Sequence, residues 1–185
     1  RRVTVVGITG GSCAGKSTVT KALLHHMHKN IPNLPNQPNQ RVSVLHLDTF
    51  RAYTLFGYRH VREGTGLRDW EHPFNAAWNA ILSEVRLQRE TLPDGSVLVL
   101  DGHMLLLEPR LVDLLDVGVY MKITKEECHR RRMQRKKPAP AGWDVEDYFE
   151  SCIWASHVTQ HAGAMACVGR KVVLEVDGTA PVSSL

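Results

Sequence analysis

Cysteine is scarce and scattered in this chain: Cys13, Cys128, Cys152 and Cys167 lie far apart, and no C-x-x-C pair occurs. That spacing argues against a disulfide scaffold and against a zinc site, and a reducing, cytoplasmic setting is the expectation. No apolar run approaches the roughly 20 residues that a bilayer-spanning helix needs, so no membrane partner is expected. Arg1-Arg2 lead straight into the first apolar run, which leaves no room for a signal segment in this sequence. Ten histidines are present without an H-E-x-x-H. His25, His26 and His28 fall on a helix surface, whereas His157 and His161, four apart, are either a metal pair or solvated or packed histidines. The guanine-reading N-K-x-D is also missing, which disfavours a GTPase.

What remains is ordinary for a globular protein: 185 residues, 43% hydrophobic and 23% charged. That length fits one domain over residues 1–185, too short for a second catalytic domain, a helicase or a motor. The net charge of +4 is concentrated in the segment His129 to Lys137, which implies an anionic partner, either a polynucleotide or the phosphates of a bound nucleotide. Aromatic residues do not interleave with that segment, which weakens a single-strand stacking surface.

The most specific feature is Gly10-Gly11-Ser12-Cys13-Ala14-Gly15-Lys16-Ser17, a complete G-x-x-x-x-G-K-[ST] loop directly after the apolar run Val3 to Thr9. Its glycines let backbone N–H groups turn inward around phosphates. Lys16 supplies a point charge for the β- and γ-phosphates, and the Ser17 hydroxyl suits Mg²⁺. The pattern from Thr18 to His28, with Val19, Leu23, Leu24 and Met27 apolar, reads as a helix whose N-terminus faces those phosphates. A nucleoside triphosphate and Mg²⁺ are the implied ligands.

Strand and helix signals then alternate. The first strand covers about 3–9. Residues 30–40 break structure with three prolines, and 41–47 resume as a strand ending at Asp48. The irregular stretch 49–72 has the character of a binding loop. A helix is predicted from Pro73 or Phe74 to Glu90, a buried strand over Val97–Leu100 running into Asp101-Gly102, and a strand over Gly118–Ile123. Thr124, with Glu127 three residues on, has capping-box spacing for a helix running to about Arg135. A further helix covers roughly 144–161, and Lys171–Val176 is a last strand. The alternation predicts an α/β fold with a parallel five-stranded sheet covered on both faces.

Ligands of parallel sheets sit at the carboxyl ends of strands, where the loop at 10–17, Asp48 and Asp101 all fall. Asp101 is the natural acidic partner for an Mg²⁺ held by Ser17. Asp48 is placed to accept a proton from a substrate hydroxyl attacking the γ-phosphate, or else caps its own turn. Arg131, Arg132 and Arg135 lie within about one helical turn, so their guanidinium groups either converge on transferring phosphates or form a solvated cationic face.

These residues resemble a known family. Gly10 to Ser17, His46-Leu47-Asp48-Thr49-Phe50, Trp70-Glu71-His72-Pro73, Val97 to Gly102, and Glu126-Glu127-Cys128-His129-Arg130-Arg131-Arg132-x-x-Arg135 resemble, in order, the motifs of the uridine kinase-like P-loop kinases, and among them the nicotinamide riboside kinases. The resemblance spans nearly the whole chain. It implies a P-loop kinase domain with a substrate loop over about 48–73 and a basic lid over about 125–142. Asp48 is then the catalytic base and a metal-side carboxylate, joined at the metal by Ser17 and Asp101. The loop 10–17, Thr18, Arg131 and Arg135 hold ATP. Thr49, Phe50, Arg51, Trp70, Glu71 and Arg132 meet the nucleoside. The family has Asp where this chain has Glu71 and Glu where it has Asp101, each a one-methylene displacement of a carboxylate, with Asp69 beside Glu71 as a substitute. The activity so implied is ATP-dependent phosphorylation of a riboside 5′-hydroxyl, nicotinamide riboside or a pyrimidine riboside, by a monomer or weak dimer with no nucleic-acid partner. An ATP-dependent nucleic-acid-binding switch is the reading from another class.

Overall fold

A computed structural model describes residues 3–30, 41–50, 68–135, 139–140, 143–168 and 170–180. Five strands form one parallel sheet: β1 (Thr4–Gly10), β2 (Val42–His46), β3 (Val97–Asp101), β4 (Val117–Lys122) and β5 (Val172–Asp177), in the spatial order β2-β3-β1-β4-β5. Helices α1 (Lys16–Asn30), α2 (Trp78–Thr91), α3 (Pro109–Leu114), α4 (Lys125–Gln134), α5 (Val145–Tyr148) and α6 (Ala155–Cys167) connect and cover them.

The two-residue period of the strands divides the core in two. On one face Val5, Leu98, Leu100 and Tyr120 meet Ile81, Leu82 and Val85 of α2, Leu111 and Val112 of α3, and Ala164 of α6. On the other face Ile8, Val99 and Met121 meet Cys128 of α4 and Phe149, Cys152 and Ile153, with Val19 and Leu23 of α1 packed alongside. The central strands are apolar on both sides for this reason, and β3 reads Val-Leu-Val-Leu without polar alternation. Neighbouring β1 and β3 run in register from Thr4 opposite Val97 to Ile8 opposite Asp101, which brings the loop after β1 and the carboxylate of β3 to the same edge.

Several boundaries differ from the sequence reading. Helix α1 begins at Lys16 and extends to Asn30. The helix predicted from Pro73 starts only at Trp78: Pro73–Asn75 form a 3-10 turn, the Asn75 side chain donates to the Asp69 carbonyl (2.6 Å), and the Ala77 N–H leaves for the Phe50 carbonyl (2.8 Å). Residues 103–117, to which the sequence reading assigns no element, hold a 3-10 turn at Leu105–Leu107 and helix α3, where Pro109 occupies the first turn and the Glu108 side chain accepts the Arg110 N–H (3.1 Å). The single helix expected over 144–161 is α5, a π-helical segment at Phe149–Trp154 and α6, which runs on to Cys167.

Candidate active site

The P-loop lies between β1 and α1, and its backbone takes conformations that L-residues avoid. Gly10 has φ 138° and Gly15 φ 93°, and Cys13, not a glycine, has φ 65°. A Cβ at Gly10 would stand 2.5 Å from the Met121 carbonyl oxygen, so β4 presses directly against the turn. Lys16 Nζ donates to the carbonyls of Gly10 (2.9 Å) and Gly11 (2.8 Å), which uses two of its three N–H groups and holds the ammonium against the cavity. Burial pulls the Lys16 pKa below the ordinary lysine value, while the charges of Asp101, Glu71 and Asp48 oppose that shift. Three carboxylates therefore act on one ammonium.

The cavity they share has a volume of about 470 Å³. Its floor is Ser12, Cys13, Lys16 and Ser17. His46, Asp48, Asp101, Gly102 and His103 stand at the strand ends, Trp70 and Glu71 come from the far end of the loop over 49–72, and Arg132 and Arg135 project from α4. Asp101 is buried at the end of β3 with the His46 Nδ1 atom 3.2 Å away. Asp48 sits in the 3-10 turn Leu47–Phe50 with its side chain 65% exposed. The segment carrying Trp70 and Glu71 is fastened from behind. The Trp70 N–H donates to the Tyr148 hydroxyl (3.0 Å), Ser156 Oγ donates to the Glu71 carbonyl (3.2 Å), and Trp143 Nε1 donates to the Arg68 carbonyl (2.8 Å). Asp69 is spent locally, accepting the Glu71 N–H at 2.8 Å.

Helix α4 departs from the capping-box expectation in an informative way. Thr124 does cap it, accepting the Glu127 N–H (3.3 Å). The Glu127 carboxylate, however, turns outward to Arg130 and Arg131, each 2.6 Å away, and these partners hold its pKa at about 2. So braced, Arg131 donates to the Cys13 carbonyl (3.2 Å) and ties α4 to the P-loop, while Arg132 and Arg135 face the cavity. Of the remaining sequence candidates, Gly10, Gly11, Ala14, Gly15 and Thr18 shape the loop and the start of α1. The Thr49 hydroxyl donates to the His46 carbonyl (2.6 Å), and Phe50 packs against the core rather than lining the cavity. Arg51, Lys136 and Lys137 lie outside the described residues, as does most of the loop over 49–72.

The histidines divide into surface and packed groups, as the sequence reading allows. His25, His26 and His28 are exposed on α1. His161 meets Glu175 at 3.0 Å, but His157 is buried under Gly11 of the P-loop and stacks on Trp154, and no cluster of three or more His, Cys, Asp or Glu side chains suited to a metal occurs among the described residues. His46, which opens the motif His46 to Phe50, and His103, which lies outside every motif, line the cavity.

A family model described as an AAA domain matches residues 6–154. The chain belongs to that family. The chain is 25% identical over 188 residues to the nicotinamide riboside kinase of Schizosaccharomyces pombe, covering 88% of this chain and 80% of the relative. It is 24% identical to nicotinamide riboside kinase 1 of Mus musculus, covering 95% and 86%, and 24% identical to the uridine kinase of Ligilactobacillus salivarius, covering 71% and 65%. A solved deoxyadenosine kinase from M. mycoides, crystallised with dCMP and dCDP, superposes with a TM-score of 0.53 over 98% of this chain and 94% of its own at 13% identity, a likeness of fold. This member of the AAA-domain family thus has the P-loop NTPase fold and falls with the uridine kinase-like kinases that its motifs resemble. No described helix is long and apolar enough to cross a membrane.

Proposed function

We propose that this protein transfers the γ-phosphate of ATP to the 5′-hydroxyl of a riboside, nicotinamide riboside before uridine, giving nicotinamide mononucleotide. The observation that carries the reading is the cavity itself: a P-loop lysine faces Asp48, Glu71 and Asp101 across one space, with Arg132 and Arg135 closing it from the lid helix. A volume of about 470 Å³ suits a nucleoside and the terminal phosphates together.

The backbone of the loop cradles the phosphates and Lys16 carries the compensating charge. Arg132 and Arg135 add donors to the equatorial oxygens as the bond to the β-phosphate breaks. Asp48 accepts the proton of the 5′-hydroxyl as its oxygen bonds to phosphorus, and its exposed carboxylate is reachable by a substrate entering from solvent. Glu71, mostly buried and fixed through its backbone by Ser156, is placed for the ribose hydroxyls. The donor set of Ser17, Asp48 and Asp101 is all oxygen and contains two carboxylates, which fits Mg²⁺, an ion that takes few protein ligands and completes its shell with phosphate and water. When bound, Mg²⁺ would neutralise phosphate charge. The arginines of this helix weaken the nucleic-acid reading, because Arg130 and Arg131 share the Glu127 carboxylate, which leaves one net positive charge among the three, and Arg132 is buried toward the cavity.

The test is ATP consumption with nicotinamide riboside and with uridine, each with Mg²⁺ and with EDTA, alongside Asp48→Asn. Mg²⁺-dependent turnover that favours nicotinamide riboside, reduced about 10²–10⁴-fold in Asp48→Asn with ATP binding intact, is the expected result. Preference for uridine moves the substrate to the sister branch, and silence of the wild type on both overturns the kinase reading.

A further inference from the structure

A chain of hydrogen bonds runs from the interior to the backbone of Glu71. Gln160 of α6 is buried, and its Nε2 donates to Ser156 Oγ, one turn earlier on the same helix, at 2.9 Å. Ser156 Oγ in turn donates to the Glu71 carbonyl (3.2 Å). Chemistry fixes the direction of this relay. A hydroxyl has a single proton to give, so a Gln160 that approaches through its N–H commits that proton to Glu71. The Gln160 Oε1 atom is buried with no hydrogen bond among the described residues. A half-satisfied amide costs stability in a core, and here only the end that meets Ser156 has work to do.

The peptide on the other side of Glu71 is held as well. Its N–H donates to Asp69 Oδ1 (2.8 Å), and the N–H of Trp70 donates to the Tyr148 hydroxyl (3.0 Å). Tyr148 and Ser156 therefore grip consecutive residues of one segment, although eight positions separate them. A regular α-helix would leave two such side chains about 80° apart around its axis. The π-helical segment Phe149–Trp154 lies between them. Its wider turn takes up an extra residue, and the rest make close to two α-helical turns, so both side chains point to the same strip of chain. All of these bonds are made by the Trp70–Glu71 backbone. The Glu71 carboxylate itself is left facing the cavity.

We propose that Ser156, backed by Gln160, is a positioning residue for the acceptor substrate: by holding the Glu71 carbonyl it sets where the Glu71 carboxylate meets the ribose hydroxyls. The inference rests on the kinase reading, which places Glu71 on the ribose, and adds to it two side chains of α6 that touch neither the phosphates nor the reacting atoms. A contact to the ribose, away from the transferred group, binds substrate and transition state alike. Its loosening raises the riboside KM and leaves kcat unchanged. The loss of one hydrogen bond sets the size of the effect, about three- to tenfold. Gln160 acts only through the Ser156 hydroxyl, so its own effect is smaller and vanishes once that hydroxyl is gone.

Steady-state kinetics of Ser156→Ala, Gln160→Met and the double variant test it, with the riboside that the wild type turns over and with Glu71→Gln run beside them. Ser156→Ala is expected to raise the riboside KM about three- to tenfold, with kcat and the KM for ATP within about twofold of the wild type. Gln160→Met should raise the riboside KM by a smaller factor, and the double variant should match Ser156→Ala alone. Alanine suits a helix at least as well as serine, so thermal unfolding of Ser156→Ala should stay close to that of the wild type. The proposal is overturned if Ser156→Ala keeps the wild-type riboside KM, if its KM for ATP rises as much, or if Gln160→Met still raises the riboside KM in the Ser156→Ala background. Glu71→Gln separates this failure from that of the reading beneath it. Should Glu71→Gln raise the riboside KM about tenfold or more while Ser156→Ala does not, the kinase reading stands and the positioning role is lost. If neither moves it, the place of Glu71 on the ribose falls and takes the positioning role with it. A wild type silent on both ribosides overturns the kinase reading itself.

Discussion

His157 makes a sharp prediction about acid stability. It lies on α6 with 6% of its surface exposed, its ring stacked on Trp154 at 4.8 Å, and its Nδ1 atom, which lacks a hydrogen-bond partner among the described residues, directly under Gly11. Burial first, then the charges of His161 and Lys16, lower its pKa from 6.5 to about 4. The folded pKa is therefore below the unfolded one. Between pH 6.5 and 4 the unfolded chain binds a proton that the folded chain refuses, so stability is complete above about pH 6.5 and falls as the pH drops through that window. At pH 5 the unfolded pKa is about 1.5 units above the solution, and at about 1.4 kcal/mol per unit the loss is about 2 kcal/mol. Against a typical domain stability of about 5–15 kcal/mol this is a large share.

The assay is urea unfolding at pH 7.5 and pH 5.0 for the wild type and for His157→Gln, which cannot titrate. The variant starts lower at pH 7.5, having lost the ring that stacks on Trp154. The informative quantity is the difference between the two pH values. Wild type is expected to lose about 2 kcal/mol more than His157→Gln on acidification. Carboxylates such as Glu127 and Glu175, whose pKa values are lowered by their partners, contribute alike to both proteins and cancel. Parallel losses in the two proteins would refute the reasoning, because they would mean that the imidazole takes up its proton in the folded state.

Two further perturbations probe the site. Glu127→Gln releases Arg131 from the carboxylate that braces it toward the Cys13 carbonyl, so KM for ATP should rise several-fold while kcat at saturating ATP and the melting temperature hold; an unchanged KM would remove the link between lid and P-loop. Asp101→Asn keeps the shape of the buried side chain and deletes its charge. The Mg²⁺ concentration for half-maximal activity should increase at least tenfold, with riboside KM within a factor of two, and an unaltered Mg²⁺ requirement would take Asp101 out of the metal site.

What could be read from the sequence is what short segments dictate by themselves. The P-loop is legible because its chemistry is carried by eight consecutive residues, and the central strand β3 is legible because a strand buried on both faces must be apolar throughout, as Val97–Leu100 is. Asp48 and Asp101 follow from the rule that such strands end at the ligand. Glu127 marks where that logic fails. Local spacing assigns it to the cap of α4, yet the two arginines that follow it on the same helix offer stronger partners, and only their direction toward the P-loop decides between the two. Helix α3 and the π-helical segment Phe149–Trp154 were hidden for a related reason: the first is only six residues long, and the second interrupts a helical pattern that runs on unbroken in sequence to Cys167.

The histidines carry the same lesson to the chemistry. His103 and His157 stand alone, in no motif, and neither has a sequence neighbour that explains it. His157 acquires its character from a glycine 146 positions earlier, since only a residue without Cβ leaves room for the ring beneath the P-loop. His103 stands between two carboxylates on separate segments, Asp48 after β2 and Glu71 near the end of the loop over 49–72. Its one cue in the sequence was position, two residues past Asp101 at the mouth of a central strand, where a polar side chain has the cavity before it. Local propensity says nothing about such a residue. A sheet that delivers three strand ends to one edge does, and this is why the parts of the site that hold phosphate can be read along the chain while the parts that orient the acceptor have to be read across it.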